Sequence, residues 1–455
     1  MKVALAHDFL IRWGGAEKVL FDLHKLFPEA PIYTLFYDKK FTNEYFSGME
    51  IRSSYLQKRC HLLKRIKEIM GRQGINGIHR LLLPFMPIAV ESMDFSNYDL
   101  VISSSSGFVK GVIVSSKTKH ICYMHTPTRW AWQDRPLAVS LKNAKLNAEK
   151  RQIISVDQRG YQRRSASRKI LMAISGISLM NFVKRLYIHL YRLWDFEASQ
   201  RPDVLIANSQ YTAQRIKKYY GREARAVYPG VEISNSKSQI INKFEYQNSK
   251  SKTNSKFQIL NSKPISDTIC HIPHTKYFIV VSRLSVYKKI DLIVEAFKNL
   301  AYNLVIVGEG PETKSLKFKV ESLKLKNRIF FTGFIQEKKE ILALIKNSIA
   351  LIHSCEEDFG LVMVEAMKLG KPVIAYDRGG AKEIVISGVN GELFGKDADS
   401  HRHESRFAQI RSLEETVKKV AENQEQYKPE IIKKSVEKFS EKEFEREMVL
   451  LIANR

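Results

Sequence analysis

The chain predicts an α/β protein of two domains, each a parallel sheet covered by helices, and three observations carry that prediction. Short apolar runs alternate with helical patterns in both halves. Residues 233–275, rich in Ser, Asn, Lys and Gln and poor in apolar periodicity, divide the halves and read as a linker with a flexible polar insertion. A length of 455 residues with 44% hydrophobic side chains suffices for more than one core.

The first domain, residues 1–232, contains the strand runs Val3 to Ala6, Leu100 to Ser103, His120 to Met124 and Val204 to Asn208. The second, residues 276–455, contains Tyr277 to Val281, Asn303 to Gly308, Arg328 to Phe331, Ile349 to Ile352 and Pro372 to Tyr376. The last helical segment, about 441–455, stays on the second domain or packs back on the first. Both placements are open at this level.

Four cysteines, Cys60, Cys122, Cys270 and Cys355, show no metal-ligand or redox spacing and read as reduced cytosolic thiols. The start, Met1 to Asp8, lacks the long apolar core of a secretory leader. Ile170 to Val183 carries Ser, Gly and Asn and falls short of the ~20 apolar residues of a spanning helix. The expected location is the cytoplasm, peripheral on the inner face of the plasma membrane.

A net charge of +26 points to an anionic partner. Basic and apolar residues interleave over Gln57–Met70 and again from Arg168 through Arg192, as in helices that lie on anionic headgroups. Ordinary surface helices with solvated Lys and Arg fit these segments equally well. No zinc-finger spacing or aromatic RNA-binding signature accompanies the charge, so nucleic acid is not an expected partner.

The most informative stretch runs from Ile352 to Gly370. An apolar strand leads into the acidic turn Glu356-Glu357-Asp358 and then a helix from near Phe359 to Gly370. Asp358 is assigned the role of N-cap. Glu365 sits on an otherwise apolar helix, where a carboxylate is costly unless it is paired or faces a polar cavity. Backbone N–H groups around Phe359, Gly360 and Leu361, free of acceptors inside the helix, can hold an anion.

Other candidates stand where strands end. Gly14 and Gly15, before a helix from about Glu17 to Leu26, allow close backbone approach to a phosphate. Arg283 leaves its strand at the carboxyl end and Lys288 follows five residues on, a pair able to clamp a diphosphate or simply to sit at the surface. His125 ends a strand before a rigid Pro127 turn, where open α/β sheets place ligands.

With these residues in hand, the chain resembles retaining glycosyltransferases of family 4. The features that carry the likeness are Glu357 and Glu365 at Glu-x7-Glu spacing, the following Gly370-Lys371-Pro372 and Gly379-Gly380-Ala381-Lys382-Glu383, and Gly14-Gly15-Ala16-Glu17. Arg283 with Lys288, Val307-Gly308-Glu309-Gly310-Pro311 and Thr332-Gly333-Phe334 support it.

The resemblance implies the GT-B fold, two Rossmann-like doubly wound domains facing each other across a cleft, the first for the acceptor and the second for the nucleotide sugar. It implies that Glu365 binds ribose hydroxyls, Glu357 the transferred sugar, and Arg283 with Lys288 the diphosphate. Phe359, Gly360, Leu361 and Gly15 would cradle the donor through their amides, and His125 would line the site near the reacting sugar. No bound metal or other cofactor is implied.

The segments His125 to Trp132 and Ser282 to Lys288 are similar to bacterial mannosyltransferases of polysaccharide synthesis. The implied reaction moves mannose from GDP-mannose to a lipid-linked glycan for surface polysaccharide. Two positions depart from the family pattern: Lys289 stands where a glycine usually follows the clamp lysine, and the acidic residue after the aromatic pair appears as Asp134. The alternatives are a nucleotide-sugar epimerase or hydrolase of the same architecture and, on charge alone, a basic nucleic-acid-binding protein.

Overall fold

The computed structural model describes residues 1–59, 82–132, 163–233, 276–395 and 405–453, with the backbone alone for 163–181. The chain divides into two compact units, Met1–Ala207 with Ala213–Arg225, and Asn208–Thr212 with Ala226–Arg455. Residues 234–275 of the polar insertion, residues 60–81 of the first basic segment and Asp134 lie outside the described residues.

The first unit holds β1 (Val3–Leu10), β2 (Ile32–Tyr37), β3 (Ile51–Ser53), β4 (Leu100–Ser105), β5 (Lys119–Met124), β6 (Val204–Ala207) and β7 (Arg225–Ala226). They lie in the order β3-β2-β1-β4-β5-β6-β7, and the pairs from β3 through β6 are parallel. Because helices cover both faces, β1 and β4 are buried almost without alternation, as parallel strands are. The helices are α1 (Gly15–Leu26), α2 (Lys39–Tyr45), α3 (Met86–Glu91), α4 (Arg129–Trp132), α5 (Arg163–Gln200) and α6 (Gln210–Tyr220).

The second unit repeats this plan with β8 (Tyr277–Val281), β9 (Asn303–Val307), β10 (Ile329–Gly333), β11 (Leu351–His353), β12 (Val373–Tyr376) and β13 (Gly391–Phe394), in the order β10-β9-β8-β11-β12-β13. All its pairs are parallel. Around it lie α7 (Ile290–Ala296), α8 (Thr313–Ser322), α9 (Lys338–Asn347), α10 (Leu361–Lys368), α11 (Ala381–Ile384), α12 (Arg406–Glu422), α13 (Pro429–Ser435) and α14 (Glu441–Ala453). The terminal helix α14 belongs to this unit and buries Phe444 and Met448.

In each sheet the chain leaves one strand toward one edge and later returns to its other side. That reversal lies between β1 and β4 in the first sheet and between β8 and β11 in the second. At such a point the two following loops run in opposite directions and leave a crevice beyond the carboxyl ends of the strands, where open α/β sheets bind ligands.

Candidate functional site

In the second unit the crevice is bordered by the loop after β8, residues 282–289, and the loop after β11, residues 354–360. Lys288 is buried, and its ammonium makes an ion pair with Oε1 of Glu357 from the facing loop. The other carboxylate oxygen of Glu357 lies 3.3 Å from Nε2 of His353 at the end of β11. Burial, and next the charge of Lys288, lower the pKa of the His353 ring to about 3, so it is neutral here. Ser354 locks the loops together, its hydroxyl donating to the carbonyls of Lys288 at 2.7 Å and Lys289 at 3.3 Å.

Main chain holds Glu357 from the other side. Gly379 pairs with it as a lone bridge, and the N–H of Gly380 donates to its carbonyl at 2.8 Å. A Cβ on Gly379 would lie 2.3 Å from the Glu357 carbonyl oxygen, and one on Gly380 2.6 Å from that of Asp358. Gly379 and Gly380, between strand and helix, are thus bare so that two backbones can touch.

Gly360, at φ +98°, is the N-cap of α10, and no side chain caps that helix. The assignment of Asp358 as cap is corrected: the helix starts at Leu361, which puts the N-cap at Gly360, two residues beyond Asp358. The amides of Phe359, Gly360 and Leu361 stand at this N-terminus, the positive end of the helix. Glu365 lies one turn into α10, and its carboxylate is paired with Lys338 at the start of α9. Arg283 is exposed at the mouth of the same loop.

Lys289 has φ +52°, a left-handed conformation that costs a residue with a Cβ ~1–2 kcal/mol. This is the physical reason a glycine serves well after the clamp lysine. The departure is offset in part, since the Lys289 ammonium sits 4.5 Å from the centre of the Tyr376 ring. A cavity of about 510 Å³ lies beside this loop, lined by Lys289, Asp291, Glu312, Lys319 and Arg406 among others. Its Arg406 and Lys319 are committed to Glu295, and Arg406 to Asp291 as well, so it does not compete as an anion site.

The first unit's crevice has a different chemistry. His7 on β1 and Ser104 on β4 are register partners, and Nδ1 of His7 is 3.1 Å from the Ser104 hydroxyl. The same hydroxyl lies 2.8 Å from Nε2 of His125, which follows β5. Burial, and next the neighbouring His7, lower the His125 pKa to about 3. Glu17 of α1 stands 3.7 Å from Nε2 of His7. Gly14 is the N-cap of α1, and a Cβ there would come within 2.9 Å of the Glu17 carboxylate; Gly15 opens the helix.

Two buried carboxylates hold this edge. Asp8 accepts the N–H groups of Ser106, Phe108 and Val109 at 2.6, 2.8 and 2.9 Å, which fixes the loop after β4. Asp195 of α5 accepts Lys110 Nζ at 2.6 Å and the Thr128 hydroxyl, Trp132 indole N–H and Tyr220 hydroxyl at 2.7 Å each. Thr128 and Trp132 belong to the turn that follows His125, so Asp195 sets the course of that turn.

The structure therefore brings Lys288 and Glu357 together, sets Phe359, Gly360 and Leu361 at a helix N-terminus, and places Arg283 on the same loop as Lys288. His125, Gly14 and Gly15 stand at the corresponding edge of the first unit. Sequence reasoning missed His7, Ser104, His353, Ser354 and Lys338. The signal for His7 was a histidine inside the first apolar run, and for His353 the alternation His353, Cys355, Glu357.

Residues 270–427 match the family Glycosyl transferases group 1. An uncharacterized glycosyltransferase of Methanocaldococcus jannaschii is 32% identical over 143 residues, 31% of this chain and 39% of its own length. The N-acetyl-alpha-D-glucosaminyl L-malate synthase of Bacillus anthracis is 33% identical over 122 residues, 26% of this chain and 32% of that one. The chain thus spans well under half the length of these curated relatives. Over 100% of both chains, the fold is similar to HepE of Anabaena, solved with UDP-glucose, at TM-score 0.60 and 18% identity. It is likewise similar to WaaG, a glycosyltransferase involved in lipopolysaccharide biosynthesis, over 100% of both chains at TM-score 0.55 and 12% identity. The two sheets have the GT-B fold, and residues 270–427, around the second of them, are similar to the group 1 glycosyl transferases.

Proposed function

We propose that the protein is a retaining glycosyltransferase that moves a hexose from a nucleotide sugar to a lipid-linked glycan. The observation that carries this reading is the Lys288–Glu357 pair at the β8/β11 crevice, beside the N-terminus of α10. A diphosphate entering there would draw Lys288, with Arg283, off the carboxylate and leave Glu357 to accept sugar hydroxyls. Glu365 would exchange its half-exposed partner Lys338 for the ribose, a change that costs little because such pairs contribute ~0–1 kcal/mol.

In the transfer step the bond from the anomeric carbon to the leaving phosphate breaks and a bond to the acceptor oxygen forms on the same face. The acceptor proton passes to the departing phosphate oxygen. Arg283 and Lys288 stabilise the charge that develops there, so no separate base and no metal is invoked. His125, kept neutral, offers a hydrogen bond to the sugar.

The donor we propose is GDP-mannose, on the likeness of residues 125–132 and 282–288 to mannosyltransferases. HepE, solved with UDP-glucose, supplies the rival donor for the test. Binding of GDP-mannose, UDP-glucose and UDP-N-acetylglucosamine is measured by calorimetry on the native chain and on Glu365→Ala. The expected result is tight binding of GDP-mannose alone, lost by ~100-fold or more in the variant, as for a site whose polar partner is removed. Unaltered binding in Glu365→Ala would sink the assignment, and in a parallel incubation with radiolabelled donor, free labelled sugar formed without acceptor would favour the hydrolase.

We further propose that α5 rests on an anionic membrane surface. Phe182, Leu186, Leu190 and Leu193 are exposed on one face of it, with Arg185 and Arg192 beside them, and no described helix is long and apolar enough to cross a membrane. Sedimentation with phosphatidylglycerol vesicles but not phosphatidylcholine vesicles is expected, and should fall sharply in Leu186→Glu/Leu190→Glu. Equal recovery with both lipids would remove the claim.

A further inference from the structure

We propose that His353, Cys355 and Glu357 form a binding site for a soft divalent cation of the zinc type, which when filled takes Glu357 away from Lys288. The proposal goes beyond the transferase reading and stands whether or not Glu357 touches a sugar.

The three residues follow one another at every second position where β11 runs out into its loop. In extended chain that spacing puts side chains on one face. Their ligand atoms lie within 4.8 Å of one another, the one such group of His, Cys and carboxylate among the described residues. Nε2 of His353 is the common vertex, 3.5 Å from the Cys355 sulfur and 3.3 Å from Oε2 of Glu357. Tetrahedral zinc with bonds of ~2.0–2.3 Å to nitrogen, oxygen and sulfur needs ligands ~3.3–3.6 Å apart. Two edges of that tetrahedron are already built.

The donor set selects the ion. One imidazole nitrogen, one sulfur and one carboxylate oxygen suit zinc and its neighbours, while magnesium and calcium require mostly oxygen. His353 and Cys355 are buried, and the Glu357 side chain is 18% exposed, so a cation enters on the carboxylate side and keeps a fourth position for water. The backbone is set in advance, by Ser354 bonded to the Lys288 carbonyl and by Gly380 bonded to the Glu357 carbonyl. Lys288 holds Oε1 while His353 faces Oε2. A doubly charged ion on Oε2 would repel the ammonium on Oε1, so cation and Lys288 compete for one carboxylate.

The test titrates the chelator-stripped full chain with Co²⁺ and then displaces it with Zn²⁺. A thiolate-to-cobalt charge-transfer band with strong visible bands of a four-coordinate site is expected, lost on Zn²⁺ addition. Cys355→Ser should abolish the charge-transfer band, and His353→Gln should weaken Zn²⁺ at least ~tenfold, since even outer partners of ligands are worth that much. Lys288→Ala leaves all three ligands in place and should bind Zn²⁺ more tightly, a change that misfolding would not produce. A band that persists in Cys355→Ser, or a Zn²⁺ affinity unmoved in both His353→Gln and Lys288→Ala, would overturn the site.

Discussion

The carboxyl edges of the two sheets share a topology and differ in their chemistry. At the first, His7, Ser104 and His125 form a chain of hydrogen-bonding groups, and the buried charges behind them, Asp8 and Asp195, are engaged by donors. At the second, Lys288 pairs with Glu357 and Lys338 with Glu365, with Arg283 exposed beside them. The fold supplies the crevice in both cases. Side chains decide what each crevice can offer a ligand.

The largest expected effect separates the two edges by stability. Asp195→Ala leaves Lys110 buried without its counter-charge, and removing one partner of such a pair costs ~3–5 kcal/mol. Unfolding followed by hydrogen exchange should show the loss in β4, β5 and α5, with the amides of β8 and β11 unmoved. A loss shared evenly between the two units would break the comparison.

Activity should divide the other way. Lys288→Ala is expected to lower kcat/KM by ~100-fold or more, as when a group that stabilises developing charge is removed. Ser104→Ala removes one neutral hydrogen bond from His125 and should cost ~tenfold. If Ser104→Ala proves the worse of the two in steady-state kinetics, the first edge carries more of the chemistry than the second.

The smallest effect is common to both. His120 and His125 in the first unit and His353 in the second have folded pKa values lowered to about 3, in each case chiefly by burial. The unfolded chain takes up these protons near the ordinary histidine value of ~6.5, and the folded chain does not. Their stabilising effect is therefore complete above pH ~6.5 and is lost as pH falls from there toward 3, by up to ~1.4 kcal/mol per unit for each histidine. Denaturant melts across that range check it. Replacing His353 by Gln should flatten the slope for the second unit alone.

Much of the fold was legible because parallel strands buried on both faces are nearly unbroken apolar words. Tyr277–Val281 was read to the residue. β1 was cut short at Ala6 because His7 and Asp8 are polar, yet the strand runs to Leu10, since each polar group has a partner reached only through the tertiary fold. β3 and β13 are short and carry charge, so nothing local marks them.

The site divides along the same line. Lys288 and Glu357 were singled out because each lies beyond an apolar run, and the helix after Glu357 was read two residues early, from near Phe359 rather than Leu361. The partners that decide their state, Lys338 for Glu365 and Ser354 for the Lys288 loop, are distant in sequence and carry no motif of their own. Cys355 was searched for against other cysteines, and its neighbours in the fold are a histidine and a glutamate.

Gly379 and Gly380 set a rule for redesign. The turn that carries Glu357 is braced by bare main chain, so its side chains are exchangeable fittings on a fixed bracket. On the proposed function, altered donor preference should be sought among residues 353–357, whereas any side chain placed at 379 or 380 would act as a wedge and shift the bracket itself.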